Sequence, residues 1–226
     1  MFFPNKTIFV HIPKTGGSSL EFAISKKYYQ EQNKNRNNQE AYKEFLSNNG
    51  LSGIDEKRKI EEMSYNNFTI NGFFRDLKKG KGGHPHSFIS DYDEFFDLSK
   101  YEKFVVLRNP FDQVVSLYNQ MRKQVEIKSL DDFVMCKSLH NIEKYRHYID
   151  QYAFTHIDGI LAVDGVFVFD RYSEAQDYVE ETYNLKIDRS LRLWKTEYSG
   201  ELFSESSKRY FEGMYHQSID LYNSYL

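Results

Sequence analysis

Lys14, Thr15, Gly16, Gly17, Ser18 and Ser19 stand in an unbroken row. That row brings together an ammonium, three hydroxyl donors and two glycines that let a main chain fold closely round a ligand. The apolar stretch from Thr7 runs up to Pro13, so the row predicts a strand, a tight loop and a helix start. N–H groups at such a loop and helix start have no internal partner, and they favour a negatively charged guest. Phosphate or sulfate is the expected one. A Walker loop places its lysine after the glycines, as GxxxxGK[ST], whereas Lys14 precedes Gly16 and Gly17. The loop therefore reads as anion-binding but not of the Walker type. A second cation, Arg108, follows the apolar run Phe104 to Leu107 inside FVVLRNPFDQVVSLY.

The elements that must position these groups alternate between strand and helix. Phe104 to Leu107 is a continuous apolar run of the kind found in a buried parallel strand. Asn109 then supplies an N-cap, Pro110 the first helical position, and Asp112 something close to a capping box. Arg108 is thereby placed at the carboxyl end of a central strand, the edge where open α/β sheets bind ligands. Ser18 to Tyr29 is expected as a helix with Leu20, Phe22, Ala23 and Ile24 turned to the sheet. Gln30 to about Ser64 turns polar and reads as an insertion over one end of the sheet, either an acceptor-binding flap or a plain surface excursion. Phe68 to Phe74 is a further possible strand. Ile160 to Val163 and Val166 to Phe169 read as strands with Asp164-Gly165 as the turn between them. Ser173 to Tyr183 is expected as a helix capped by Ser173, and Glu205 to Tyr225 as an amphipathic helix. The implied fold class is α/β, with a mostly parallel central sheet flanked by helices.

With 226 residues and 27.0 kDa, one domain over 1–226 with an insertion at about 30–64 is the natural size. A net charge of -3 and a pI near 6.2 argue against a general nucleic-acid binder. The single cysteine, Cys136, excludes an intramolecular disulfide. Its neighbours Phe133, Val134 and Met135 suggest a buried structural thiol rather than a nucleophile. No stretch approaches the roughly 18 apolar residues of a membrane span, and the N-terminal apolar stretch is too short for a signal peptide. A cytoplasmic protein is expected. His140 and His147, seven apart, lack a third partner as metal ligands.

The string HIPKTGGSS, residues 11–19, resembles the 5′-phosphosulfate loop of sulfotransferases that use 3′-phosphoadenosine 5′-phosphosulfate (PAPS), in particular the carbohydrate branch that includes the heparan sulfate 2-O-sulfotransferases. That resemblance implies a sulfotransferase fold akin to the P-loop NTPases, with PAPS as sulfuryl donor, 3′-phosphoadenosine 5′-phosphate (PAP) as product and no metal. It implies a 5′ cradle made by Lys14, Thr15, Gly16, Gly17, Ser18 and Ser19. It also implies a 3′-phosphate clamp made by a strand-end arginine and a serine eight residues on, which here are Arg108 and Ser116. Many relatives carry arginine five residues after the strand-end arginine, where this chain has Gln113. The family's Gly-His between the two cofactor motifs corresponds to Gly83-His84, and His84 is its implied base, with His86 two residues on as the alternative. A neutral imidazole with a pKa of ~6.5 suits that task. Lys195, where relatives show Asn-Lys-Thr, is a further implied cofactor contact, although Trp194 replaces the asparagine.

Sulfuryl transfer resembles phosphoryl transfer in being in-line and driven by positioning and electrostatics. His84 would deprotonate an acceptor hydroxyl while Lys14 stabilises the departing bridging oxygen. A saccharide or glycoconjugate is the expected acceptor. Two other readings stand beside this one. A P-loop small-molecule kinase would want a lysine after the glycines and an acidic magnesium ligand where Arg108 lies. A non-catalytic nucleotide- or glycan-binding protein of the same fold would be supported by loss of His84 or Lys14, and both are present.

Overall fold

The structure, a computed structural model, describes residues 2–3, 7–20, 23–24, 86, 88–93, 97–123, 126–135, 149–184, 186–192 and 200–226. The insertion at 30–64, the strand expected at 68–74, and His84, Cys136, His140, His147 and Lys195 lie outside them.

The described strands are β1 (Phe2–Phe3), β2 (Thr7–Val10), β3 (Glu102–Leu107), β4 (His156–Ile157), β5 (Ile160–Leu161) and β6 (Gly165–Val168). Four of them pair in the order β1-β2-β3-β6. β1 is antiparallel to β2, while β2, β3 and β6 run parallel, with Val10 opposite Val105 and Leu107 opposite Val168. The described helices are α1 (Ile89–Asp93), α2 (Pro110–Met121), α3 (Leu130–Met135), α4 (Gln151–Thr155), α5 (Tyr172–Tyr183) and α6 (Glu205–Asn223). The chain is also helical at 17–20 and 23–24.

The apolar strands are buried on both faces, which is why they read as continuous rather than alternating runs. Ile8, Val10, Val105 and Leu107 point to one core with Val114, Phe133, Phe154 and Phe211 from α2, α3, α4 and α6. Phe9, Phe104 and Val106 point to the other, with Leu20, Ala23 and Ile24 and with Ala175 and Val179 of α5. Helices therefore cover both faces of a small, mostly parallel sheet, and the α/β expectation holds at that level. Among the described residues no helix is long and apolar enough to cross a membrane.

The expected start of α2 is present. Asn109 accepts from the Phe111 N–H at 3.0 Å, and Pro110 occupies the first turn. Two expectations need correction. Ile160–Leu161 does not join β6 in a hairpin; it pairs antiparallel with β4 in a separate two-stranded sheet. Ile160 is 72% exposed, and the ribbon packs against the edge of the core that holds Val168 through Ile157 and Leu161. Asp164 is not a turn tip either. Its N–H donates to Lys103 O and its carboxylate accepts from the Lys103 N–H, both at 2.7 Å, while Lys103 Nζ also lies 2.7 Å away. These bonds align the start of β6 with that of β3. The second correction concerns α5, whose N-cap is Arg171 and not Ser173. A 3-10 turn over Phe169–Arg171 leads straight into it, so the helix begins a residue early and Ser173 falls inside.

Candidate functional site

Residues 11–17 leave β2 at its carboxyl end, beside the carboxyl end of β3 where Arg108 follows. Lys14 takes φ +67° and Gly16 φ +88°. Such turns of left-handed residues direct successive N–H groups into a concavity that suits an anion. Gly16 is required by its backbone and by its neighbours, Gly17 by its neighbours alone. A Cβ on Gly16 would lie 2.9 Å from Phe169 Cε2 and 3.0 Å from Tyr172 Cε2; one on Gly17 would lie 2.2 Å from His11 Cδ2.

The loop's carbonyls are tied down from four directions. Thr15 Oγ1 donates to Ile12 O at 3.0 Å, Gln113 Nε2 to Pro13 O at 2.9 Å, Arg108 Nη1 to Lys14 O at 2.9 Å and the Tyr172 hydroxyl to Gly16 O at 2.9 Å. Gly16 O also receives the Ser19 N–H at 3.0 Å as the helical turn begins. Thr15 is fully buried, and its hydroxyl is a brace within the loop. Ser18 is half-buried and Ser19 buried at the same turn.

Arg108 is held at several points. Its N–H donates to Gln151 Oε1 at 3.0 Å, and its C=O accepts from Gln151 Nε2 at 2.7 Å, so one buried carboxamide satisfies both main-chain groups. Its guanidinium carbon lies 4.7 Å above the Phe169 ring, a cation–π arrangement. Arg192 in turn lies 5.8 Å over Tyr172.

Lys14 is half-buried, and its ammonium is pushed down to about 8 by burial first and then by the charges of Arg108 and Lys123. Positive charge is thus gathered at one point against its own repulsion, the condition under which a bound anion has most to offset. Gln113, Ser116, Gln120 and Lys123 follow one another at spacings of 3, 4 and 3 along α2 and the turn after it, so they share one face. Gln113 touches the loop, which turns that face toward it. Ser116 is buried on it at 3% exposure, and Lys123 is exposed at its far end.

His11 continues from β2 directly into the loop. Its ring stacks on Phe9 with centroids 5.6 Å apart and meets His86 edge-on at 4.5 Å. His86 Nδ1 lies 2.9 Å from His11 O. A carbonyl only accepts, so Nδ1 is the donor and the neutral ring keeps its basic lone pair on Nε2.

The structure thus joins Lys14, Thr15, Gly16, Gly17, Ser18, Ser19 and Arg108, and sets Ser116 one turn along the helix face that carries Gln113. His84 and Lys195 lie outside the described residues. Sequence reasoning missed Gln151, Tyr172, Phe169 and Lys123, and it treated Gln113 only as a lost arginine. Gln151 and Tyr172 sit 43 and 156 residues from the groups they hold, and no local pattern announces such partners. No protein-family model matches this chain, and no curated protein or solved structure shows significant similarity to it.

Proposed function

We propose that the protein is a PAPS-dependent sulfotransferase acting on a hydroxyl, with a carbohydrate as the favoured acceptor class. The observation that carries this reading is the convergence of Arg108 on the Lys14 loop: two cations follow neighbouring parallel strands, and the loop carbonyls of Pro13, Lys14 and Gly16 are taken up by protein donors. The residues fit a donor with an anionic group at each end. The N–H groups of residues 14–19 and Lys14 would take the 5′-phosphosulfate, and Arg108 with Ser116 the 3′-phosphate. A guanidinium clamps two phosphate oxygens at once, which suits a clamp for the group that separates PAPS from other adenine nucleotides.

In the transfer, an acceptor oxygen forms a bond to sulfur as the bond from sulfur to the 5′-phosphate oxygen breaks. Lys14 and the loop amides stabilise the charge left on that oxygen. The acceptor proton goes to a histidine of the 84–86 segment. His84 carries the family resemblance, and His86 has the tautomer that leaves Nε2 basic. Comparing His84→Ala with His86→Ala separates them, because loss of the base stops transfer and spares PAP binding.

The test is calorimetric titration of PAP into the wild type and Arg108→Ala, with ADP and ATP plus magnesium as controls. PAP should bind without metal, and the variant should lose about 1.5–3 kcal/mol, the worth of a charge-assisted contact. Preferential binding of ATP with magnesium, with the 3′-phosphate making no difference, overturns the reading in favour of a kinase.

A further inference from the structure

The loop's anion preference depends on which way its peptide groups face. Each peptide unit carries its C=O and N–H on opposite sides, so a donor that fixes the carbonyl also fixes where the next N–H points. Four consecutive residues from Ile12 to Thr15 contribute three fixed carbonyls, and Gly16 adds a fourth. Two of the donors belong to residues that the resemblance does not assign. Gln113 is fully buried in the first turns of α2 and reaches Pro13 O, the carbonyl just before left-handed Lys14. Tyr172 opens α5 and reaches Gly16 O, the carbonyl just before the helical turn.

We infer that Gln113 and Tyr172 are positioning residues of the anion loop: they hold the carbonyls of Pro13 and Gly16 inward, so that the N–H groups of Lys14 and Gly17, which share those peptide units, point the opposite way, toward the guest. Left-handed geometry at a lysine costs on the order of 1 kcal/mol, and it persists only where the surroundings impose it. Gln113 on one side of Lys14 and Arg108 on the other supply that constraint. Gln113 is a neutral donor at a position where arginine would add charge. Its place in this chain is therefore explained by the carbonyl it holds and not by contact with phosphate. The Tyr172 hydroxyl is suited to the same work, because burial pushes its ionisation up to about 12 and it remains a donor at any working pH.

This inference rests on the anion-loop reading of the site, and its test separates the two. PAP and inorganic pyrophosphate are titrated calorimetrically into the wild type, Tyr172→Phe and Gln113→Met, with folding followed by circular dichroism. Tyr172→Phe keeps the ring against Gly16 and removes only the donor. Both variants should weaken both anions by about five- to tenfold, the loss expected for one neutral hydrogen bond. Gln113→Arg, which restores a donor, should recover most of the affinity. Wild-type affinity for both anions in Tyr172→Phe overturns the inference, whatever happens to thermal stability; should Gln113→Met fail to fold, Tyr172→Phe decides alone. If the wild type binds pyrophosphate as well as PAP, the sulfotransferase reading falls while the positioning role is still decided by the variants. If it binds neither, both fall.

Discussion

At the scale of single residues the site is legible where chemistry and chain order coincide. Lys14 beside Gly16 and Gly17, and Arg108 after an apolar run, are visible because each is bracketed by its own strand and helix signals. What each residue does there is less visible. Thr15 reads as a ligand hydroxyl and is found bracing Ile12 O, because a tight loop consumes the nearest side-chain donor for its own closure. Lys14 gives the sharpest residue-level expectation. Its pKa is lowered from 10.5 to about 8, so the fold disfavours the charged form. That penalty is fully present below about pH 8 and is relieved as pH rises toward 10.5, so the anion-free protein gains stability across this window. A bound anion reverses the preference, since it interacts with the protonated amine alone. PAP affinity should therefore fall as pH rises through the region above 8, and Lys14→Met should flatten that fall. Calorimetry at a series of pH values between 6.5 and 9.5 checks both.

At the scale of elements, β3, Asn109 and α2 were readable because strand burial, the N-cap and proline are short-range signals. The pairing of β5 was not, because Ile160–Leu161 and Val166–Val168 are both short apolar runs. Only their different burial decides which one enters the main sheet. The start of α5 was misplaced for a related reason: a 3-10 turn can precede a helix without any capping side chain. Gln151 shows how one element locks another. It opens α4 and fills both main-chain valences of Arg108 at the exit of β3. Gln151→Leu keeps much of the volume and leaves a buried N–H and C=O without this partner, so it should cost about 2–4 kcal/mol in urea unfolding. The N-cap change Asn109→Ala should cost less, about 0.5–2 kcal/mol, because water can reach a helix end. The Gln151 variant should also lose PAP affinity through the displaced guanidinium, a coupling that the cap variant should not share to the same degree.

At the scale of the whole molecule, two cores on either face of one small sheet hold the site at its carboxyl edge, and the polar links that fasten the outer layer have a pH dependence of their own. Glu180 of α5 is 6% exposed; it accepts from Lys186 and Ile187 and pairs with Arg189. These contacts, led by the Arg189 hydrogen bond, depress its pKa from 4.5 to about 2. A depressed carboxyl contributes stability that is present above about pH 4.5 and is lost as pH falls toward 2. Thermal unfolding between pH 6 and 2.5 should show a declining midpoint in this range, and Glu180→Gln should start lower and decline less. Tertiary pairs of this kind were not legible, whereas the α/β alternation that creates the two faces was.

The pairing of Val10 with Val105 joins strands whose partners are nearly half a chain apart, and the lysine loop and the arginine meet only when that pairing is made. Distant pairing is slow to find but cheap to lengthen. Doubling the intervening chain adds only about 0.6 kcal/mol of closure entropy, whereas the search itself delays folding. Helical turns can return early, since they draw on neighbours. The anion receptor has no such local form: it exists only once the β2–β3 pairing is made, and a bound ligand then adds its binding energy to the stability of that distant pairing.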